Sequence, residues 1–259
     1  MAAPRLTRRL TPALALQIAT LLCLWALWEG AAQSGLVWRG AVPSSVAVLR
    51  ALGAMLASRA FYRDLGVTLG EVAAAVAIGG ASGLVAGLVL GINRFLGRAF
   101  EPYLHYLAPT PKIVFLPVIM LLVGVGAGSK VALGALSGFF PMALSVAVGV
   151  REVNPVLLRV GRSFNLSPTQ MLGKIYLPAL TPTIIVGLRL SLGLALVGCL
   201  LAELNLSNAG LGFLAMQAYN QLDIPTTYAV LLVIFALAAL ANALLGRLAH
   251  RSPAGRVRR

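Results

Sequence analysis

Charged residues are scarce in this chain, and acidic ones scarcer still. Asp, Glu, Lys and Arg make up 11% of its 259 residues, and only seven are acidic. A soluble globular domain carries about a quarter charged residues, so this composition, 59% hydrophobic, belongs to the membrane class. Histidine is almost missing: His105 lies near an inner boundary and His250 in the tail. The two cysteines, Cys23 and Cys199, sit inside apolar runs. They form neither a disulfide framework nor a metal spacing, and they read as small buried hydrophobes.

Other absences narrow the function. The net charge of +14 lies in short segments between apolar runs, without one basic face or interleaved aromatics, which excludes a nucleic-acid partner. Gly124–Lys130 (GVGAGSK) has its Ser and Lys in the wrong order for a phosphate loop and reads as a turn. Ser137, in GALSG, has no base to activate it. It reads as a packing or path-lining hydroxyl, and no catalytic residue is expected. The acidic residues Glu29, Asp64, Glu71, Glu101, Glu152, Glu203 and Asp223 nearly all fall at span ends or in loops. An ion-coupled carrier places ionisable groups at mid-depth, so this pattern counts against a secondary carrier. Glu71, early in the second span, is expected to be interfacial.

Six apolar runs approach the ~20 residues needed to cross a bilayer: about 11–29, 67–92, 103–125, 129–150, 180–204 and 226–247. The first resembles a signal peptide, but it is long and ends in Trp25 and Trp28, as an uncleaved span would. The third is interrupted by Pro109, Pro111 and Pro117 and is expected to bend. With the N-terminus inside, fifteen Lys and Arg fall on inner segments, Lys112 among them, against five on outer segments, Lys130 among them. Positive charge marks the cytoplasmic side, which predicts cytoplasmic termini and an outer segment 29–66 with an interfacial helix around Ser44–Ala60. Gly79, Gly83, Gly87 and Gly91 form a small-residue ridge, expected to pack within one subunit.

Between the fourth and fifth runs lies a polar, helix-forming insert, Asn154–Pro178, on the cytoplasmic side by the same charge bias. Asn154-Pro155 caps and starts a helix. Val156, Leu157, Val160 and Phe164 form its apolar stripe, with Arg159, Arg162 and Ser163 opposite. Asn165 suits the left-handed residue that ends a helix. Ser167-Pro168-Thr169-Gln170 is a capping box that opens a second short helix with the stripe Met171, Leu172, Ile175. Leu177-Pro178 is expected to stop it, and Thr181-Pro182 to start the next span. A rigid helix pair suits docking into a partner's groove, favoured here over a helix lying on anionic lipid.

The insert resembles the EAA loop of binding-protein-dependent ABC importer permeases. Ile175-Tyr176-Leu177-Pro178 matches that pattern's end; Asn165 stands where the family has Gly, and Arg159-Val160-Gly161 where it has Glu-Ala-Ala. Pro109-Thr110-Pro111-Lys112, Leu116-Pro117, Gly124–Lys130, Gly187-Leu188-Arg189, Ala202-Glu203-Leu204 and Gly210-Leu211-Gly212 are similar to segments of the nitrate/sulfonate/taurine permease subfamily.

The resemblance implies an all-α membrane protein with six transmembrane helices in the type I importer permease architecture and a cytoplasmic two-helix coupling segment. Its parts are expected to be 1–66, with the first span and outer segment; a core 67–250, with coupling loop 151–178; and a basic tail 251–259. It implies a multi-pass permease of the bacterial inner membrane that forms the path for a small anionic solute. Its implied partners are a second permease copy in a homodimer, two cytoplasmic ATPase subunits and an extracytoplasmic solute-binding protein. ATP and Mg would belong to the ATPase, and this chain would bind no cofactor. Residues expected to dock the ATPase are Arg159, Arg162, Asn165, Leu166, Ser167 and Gln170. Path or gate residues are Arg189, Glu203 and Ser137. Two readings of Arg189 stand: a cation lining the inner path, or a side chain snorkelling to the inner interface. Glu203 either faces the binding protein or a gate, or caps the helix-end region.

Overall fold

A computed structural model describes residues 12–34, 41–205 and 207–251, and among them only helices and turns occur. The expectations for the Arg5–Arg9 segment and for the tail beyond Arg251 lie outside the described residues. The helices are α1 (Pro12–Gln33), α2 (Ser45–Leu56), α3 (Arg59–Ile92), α4 (Arg94–Leu107), α5 (Leu116–Val123), α6 (Ala127–Glu152), α7 (Pro155–Ser163), α8 (Pro168–Met171), α9 (Leu177–Asn205), α10 (Leu211–Asn220) and α11 (Ile224–Arg251). Five stretches are long and apolar enough to cross a bilayer: α1, α3, α6, the continuous run from α8 through α9, and α11. A sixth exists only as a bent pair, α4 with Lys112–Val123, at 96°. The expected six-span architecture is therefore present, with its third span broken where the prolines stand.

The centre of the bundle is a three-helix contact of α3, α6 and α9, and small residues make it possible. A Cβ placed on Gly83 would lie 2.8 Å from Met142 Cβ, one on Gly87 2.7 Å from Val146 Cβ, and one on Gly91 2.6 Å from Val150 Cβ. The glycine ridge thus seats α3 on α6 of the same chain, as expected. On the other side of α6, a Cβ on Gly138 would meet Ser191 Oγ of α9 at 2.6 Å. Leu133, Ala143, Val146 and Ala147 of α6 are fully buried in consequence. Close backbone approach supplies the dispersion contacts that hold helices together in lipid, where apolar burial gives no drive.

Several expectations are corrected. Lys112 is not an inner-segment cation: its ammonium donates to the carbonyls of Leu107 (2.7 Å), Ala108 (2.5 Å) and Thr110 (2.8 Å) and stands 4.7 Å from the Phe140 ring, halfway along α6. All three of its protons go to carbonyls of the proline corner, of which Leu107 O also accepts from Thr110 N–H. Lys130, expected in an outer turn, is buried and donates to the carbonyls of Val125 and Gly126. Leu177-Pro178 does not stop a helix, and Thr181 caps none. A π-type turn over Leu172–Tyr176 shifts the hydrogen-bond register, with Leu177 N–H donating to Leu172 O, and the helix runs on through Pro178 and Pro182 to Asn205. The widened turn absorbs the ring and the missing donor of Pro178. Thr181 Oγ1 instead donates back to Leu177 O at 3.1 Å. Finally, α3 starts at Arg59, since nothing between Ser58 and residue 67 breaks a helix.

Candidate functional site

The insert is an elbow closed by local hydrogen bonds. Asn154 accepts from Val156 N–H at 2.9 Å, and Pro155 occupies the first helical position, where no donor is needed. At the far end of α7, Leu166 N–H donates to Gly161 O (3.1 Å) and Asn165 N–H to Arg162 O (2.9 Å). With Asn165 at φ +50°, this is a Schellman termination with Asn in the position usually given to Gly. Two residues on, Gln170 N–H donates to Ser167 Oγ (3.3 Å) while Gln170 Oε1 accepts from Ser167 N–H (3.0 Å), completing the capping box.

Gly161 fixes the angle between the two short helices. A Cβ there would meet Met171 Sδ at 2.7 Å and press on Ile175 Cδ1, so α7 rests directly on the following turn. Sequence reasoning missed this role, although a glycine inside an amphipathic helix was the available signal. The apolar stripe Val156, Leu157, Val160 and Phe164 is half exposed along its length, and Phe164 at its end is 76% exposed. Asn165, Ser167 and Gln170 stand exposed at the corner, with Leu166 half-buried. Arg159 and Arg162 turn elsewhere: they line a cavity of about 630 Å³ with Arg94, Arg98, Arg151 and Glu101.

At the opposite ends of α3 and α9 the chain builds a buried polar cluster. The first N–H groups of α10 are taken by side chains of other helices: Gly210 by Asp64 Oδ1 (3.0 Å), Leu211 by Thr68 Oγ1 (2.8 Å) and Gly212 by Glu203 Oε2 (2.6 Å). Thr68 Oγ1 in turn donates to Glu203 Oε1 at 2.7 Å, and Glu203 is only 1% exposed. Glu203 therefore caps a helix end, one of its two expected roles. Glu71 is not interfacial. It is buried beside Glu203, with Lys130 near both. Two carboxyl groups from different spans thus meet inside the protein. They stand 132 positions apart in the chain, and no local pattern joins them.

Arg189 neither stands free nor snorkels alone: its Nε donates to Asn242 Oδ1 of α11 at 2.6 Å. Ser137 Oγ donates to Leu133 O (2.8 Å) and borders a cavity of about 240 Å³ formed with the Pro109–Lys112 corner and α9. The expected path and gate residues are therefore in three separate places. Among the described residues, no His, Cys, Asp or Glu cluster could hold a metal ion.

Known proteins share this architecture. At TM-score 0.67 and 18% identity, the chain resembles a subunit of the MetNI methionine ABC transporter in inward-facing conformation, over 74% of this chain and 95% of that one. A bacterial alginate ABC transporter, solved with its alginate-bound periplasmic protein, gives TM-score 0.63 and 14% identity over 96% and 98%. In sequence, the chain is 30% identical over 193 residues to SsuC of Bacillus subtilis strain 168, named for aliphatic sulfonates transport, with 74% of this chain and 70% of that protein covered. It is 29% identical to the taurine transport system permease protein TauC of Escherichia coli K12, with 87% and 84% covered. The profile of the family described as "Binding-protein-dependent transport system inner membrane component" matches residues 79–252. The chain thus belongs to that family, as a transmembrane permease subunit of an ABC importer.

Proposed function

We propose that this permease works as a homodimer in the bacterial inner membrane, with both termini in the cytoplasm. Two ATPase subunits would dock on its elbows and a solute-binding protein on its outer face. Residues 67–250 would form the permease core. ATP and Mg belong to the ATPase, and this chain supplies the path. The observation that carries the reading is the elbow Asn154–Tyr176, capped at both ends and bearing an exposed apolar stripe. An amphipathic helix in a partner's groove is a common recognition mode. A rigid elbow running without a break into α9 can turn ATPase closure into a tilt of that helix. Phe164 and the corner residues Asn165, Leu166, Ser167 and Gln170 would enter the groove, with Arg159 and Arg162 at its edge.

The solute is a small anion. Relatives are named for nitrate, taurine and aliphatic sulfonates transport. Arg189 would present its charge along the path, held in place by Asn242. Ser137 would line the middle of the path, and Glu203 would brace α10 beside the path's outer end. The test is uptake by proteoliposomes carrying the permease, its ATPase and its binding protein. Vanadate should abolish uptake, and collapse of the ion gradient should leave it intact. Uptake that ignores vanadate but falls with the gradient would make the chain a secondary carrier.

A further inference from the structure

The cavity beside the elbow carries more positive charge than the chain can neutralise. Arg94 and Arg98 come from α4, Arg151 from the end of α6, and Arg159 and Arg162 from α7. Its single lining carboxylate, Glu101, is already paired with Arg151 and lies 3.8 Å from His105. Among the described residues, no hydrogen bond or ion pair within the chain reaches the guanidinium groups of the other four arginines. The space is about 630 Å³, enough for a headgroup. Gly97 brings α4 close to its neighbours: a Cβ there would meet Leu90 O at 2.6 Å and Arg151 Nη2 at 3.0 Å. Four guanidinium groups kept together without counter-charge repel one another unless an anion joins them.

The level of the cavity suggests which anion. At 100° per residue, Arg94, Arg98, Glu101 and His105 share one narrow face of α4. Phe95, Phe100, Tyr103 and Leu107 occupy the rest, and all four side chains are exposed, Phe95 at 78%. α4 starts at the elbow end of α6, where Glu101 pairs with Arg151. Its last carbonyls hold Lys112 beside Phe140, halfway along α6. Its exposed rings therefore face the acyl chains, while its first arginines stand at headgroup level. The polar face of α4 is also one wall of the cavity.

We infer that this cavity binds a phosphate ester anion, the headgroup of an anionic membrane lipid. Guanidinium groups suit it, since each can donate two parallel hydrogen bonds to phosphate oxygens. The lipid would sit against α7 and hold it at the membrane surface. The inference rests on the membrane architecture and not on ATPase docking, so its failure leaves that reading standing.

The test is lipid retention by the intact transporter, released from phosphatidylcholine nanodiscs doped with phosphatidylglycerol and weighed by native mass spectrometry. The wild type should retain phosphatidylglycerol in preference to phosphatidylcholine. Arg94→Gln/Arg98→Gln should weaken retention roughly thirty-fold, the combined effect of two basic residues near an anionic surface. Arg94→Lys/Arg98→Lys, which keeps the charge, should retain most of it and separates charge loss from misfolding. Millimolar inorganic phosphate should not displace the lipid. Unchanged retention in the Gln pair would overturn the inference, as would displacement by inorganic phosphate, which would mark a free-anion site. A Gln pair that sheds the ATPase yet keeps its lipid would also overturn it, because the arginines would then serve the protein interface.

Discussion

At the elbow every structural bond is short in sequence: Leu166 reaches back to Gly161, Asn165 to Arg162, and Gln170 exchanges two bonds with Ser167. At the α10 end the corresponding bonds cross the chain. Leu211 N–H finds Thr68 at a separation of 143 residues, and Gly210 N–H finds Asp64 at 146. The elbow leaves its apolar stripe open, whereas the α10 cluster is sealed, with Glu203, Thr68 and Leu211 all but inaccessible. The difference fits two jobs. The part proposed to dock another subunit is held rigid from within and keeps its contact face free. A part that stays put is stitched to its neighbours.

Substitutions should therefore fail in different ways at the two ends. The largest effect is expected at the sealed end. Glu203→Ala strands the Gly212 N–H and the Thr68 hydroxyl in a buried site, at a cost of about 3 kcal/mol. It should lower the thermal midpoint of the purified permease and reduce its abundance. Normal stability would show that the cluster is not a structural anchor. Next comes Gly161→Leu, which forces α7 off Met171 and Ile175. Overpacking there should cost about 1–3 kcal/mol, confined to the elbow. Abundance should stay normal while uptake falls at least tenfold in a transport assay.

Phe164→Ser should be milder. It removes an exposed ring, so folding should be unaffected, while co-purification with the ATPase should drop several-fold. The smallest effect should come from Leu222→Gly. The α10 helix ends in the same turn as α7, with Asp223 N–H donating to Ala218 O and Leu222 N–H to Tyr219 O. Here, however, a leucine holds φ +59°. A left-handed non-glycine residue costs ~1–2 kcal/mol, part of which glycine returns in unfolded-state entropy. The thermal midpoint should therefore rise slightly. An unchanged or lower midpoint would mean that the Leu222 side chain makes a compensating contact.

The two turns also show what a sequence can reveal. Asn165 is readable because Asn tolerates the left-handed conformation and sits between a helix and a capping box. Leu222 is not, since nothing about a leucine announces positive φ. Six spans, the broken third one and the glycine ridge were all legible as local patterns. Glu71 beside Glu203, Asp64 and Thr68 capping α10, and Lys112 fastening the proline corner were not. Each depends on which helices pack together, and that is decided by small-residue contacts far apart in the chain. Pro178 misled for a related reason: proline usually breaks a helix, but the π turn before it lets this one continue.

The central claim is that the elbow couples ATP hydrolysis to transport through its shape, and Asn165 is where that shape can be tested. Asn165→Val places a β-branched residue at φ +50° and should unseat the turn, whereas Asn165→Gly should preserve it. The decisive measurement is the ratio of solute taken up to ATP hydrolysed by the reconstituted transporter. For Asn165→Val the account predicts wild-type membrane abundance, continued hydrolysis and a ratio at least tenfold lower, with Asn165→Gly near the wild type. A wild-type ratio in Asn165→Val at normal abundance would contradict it.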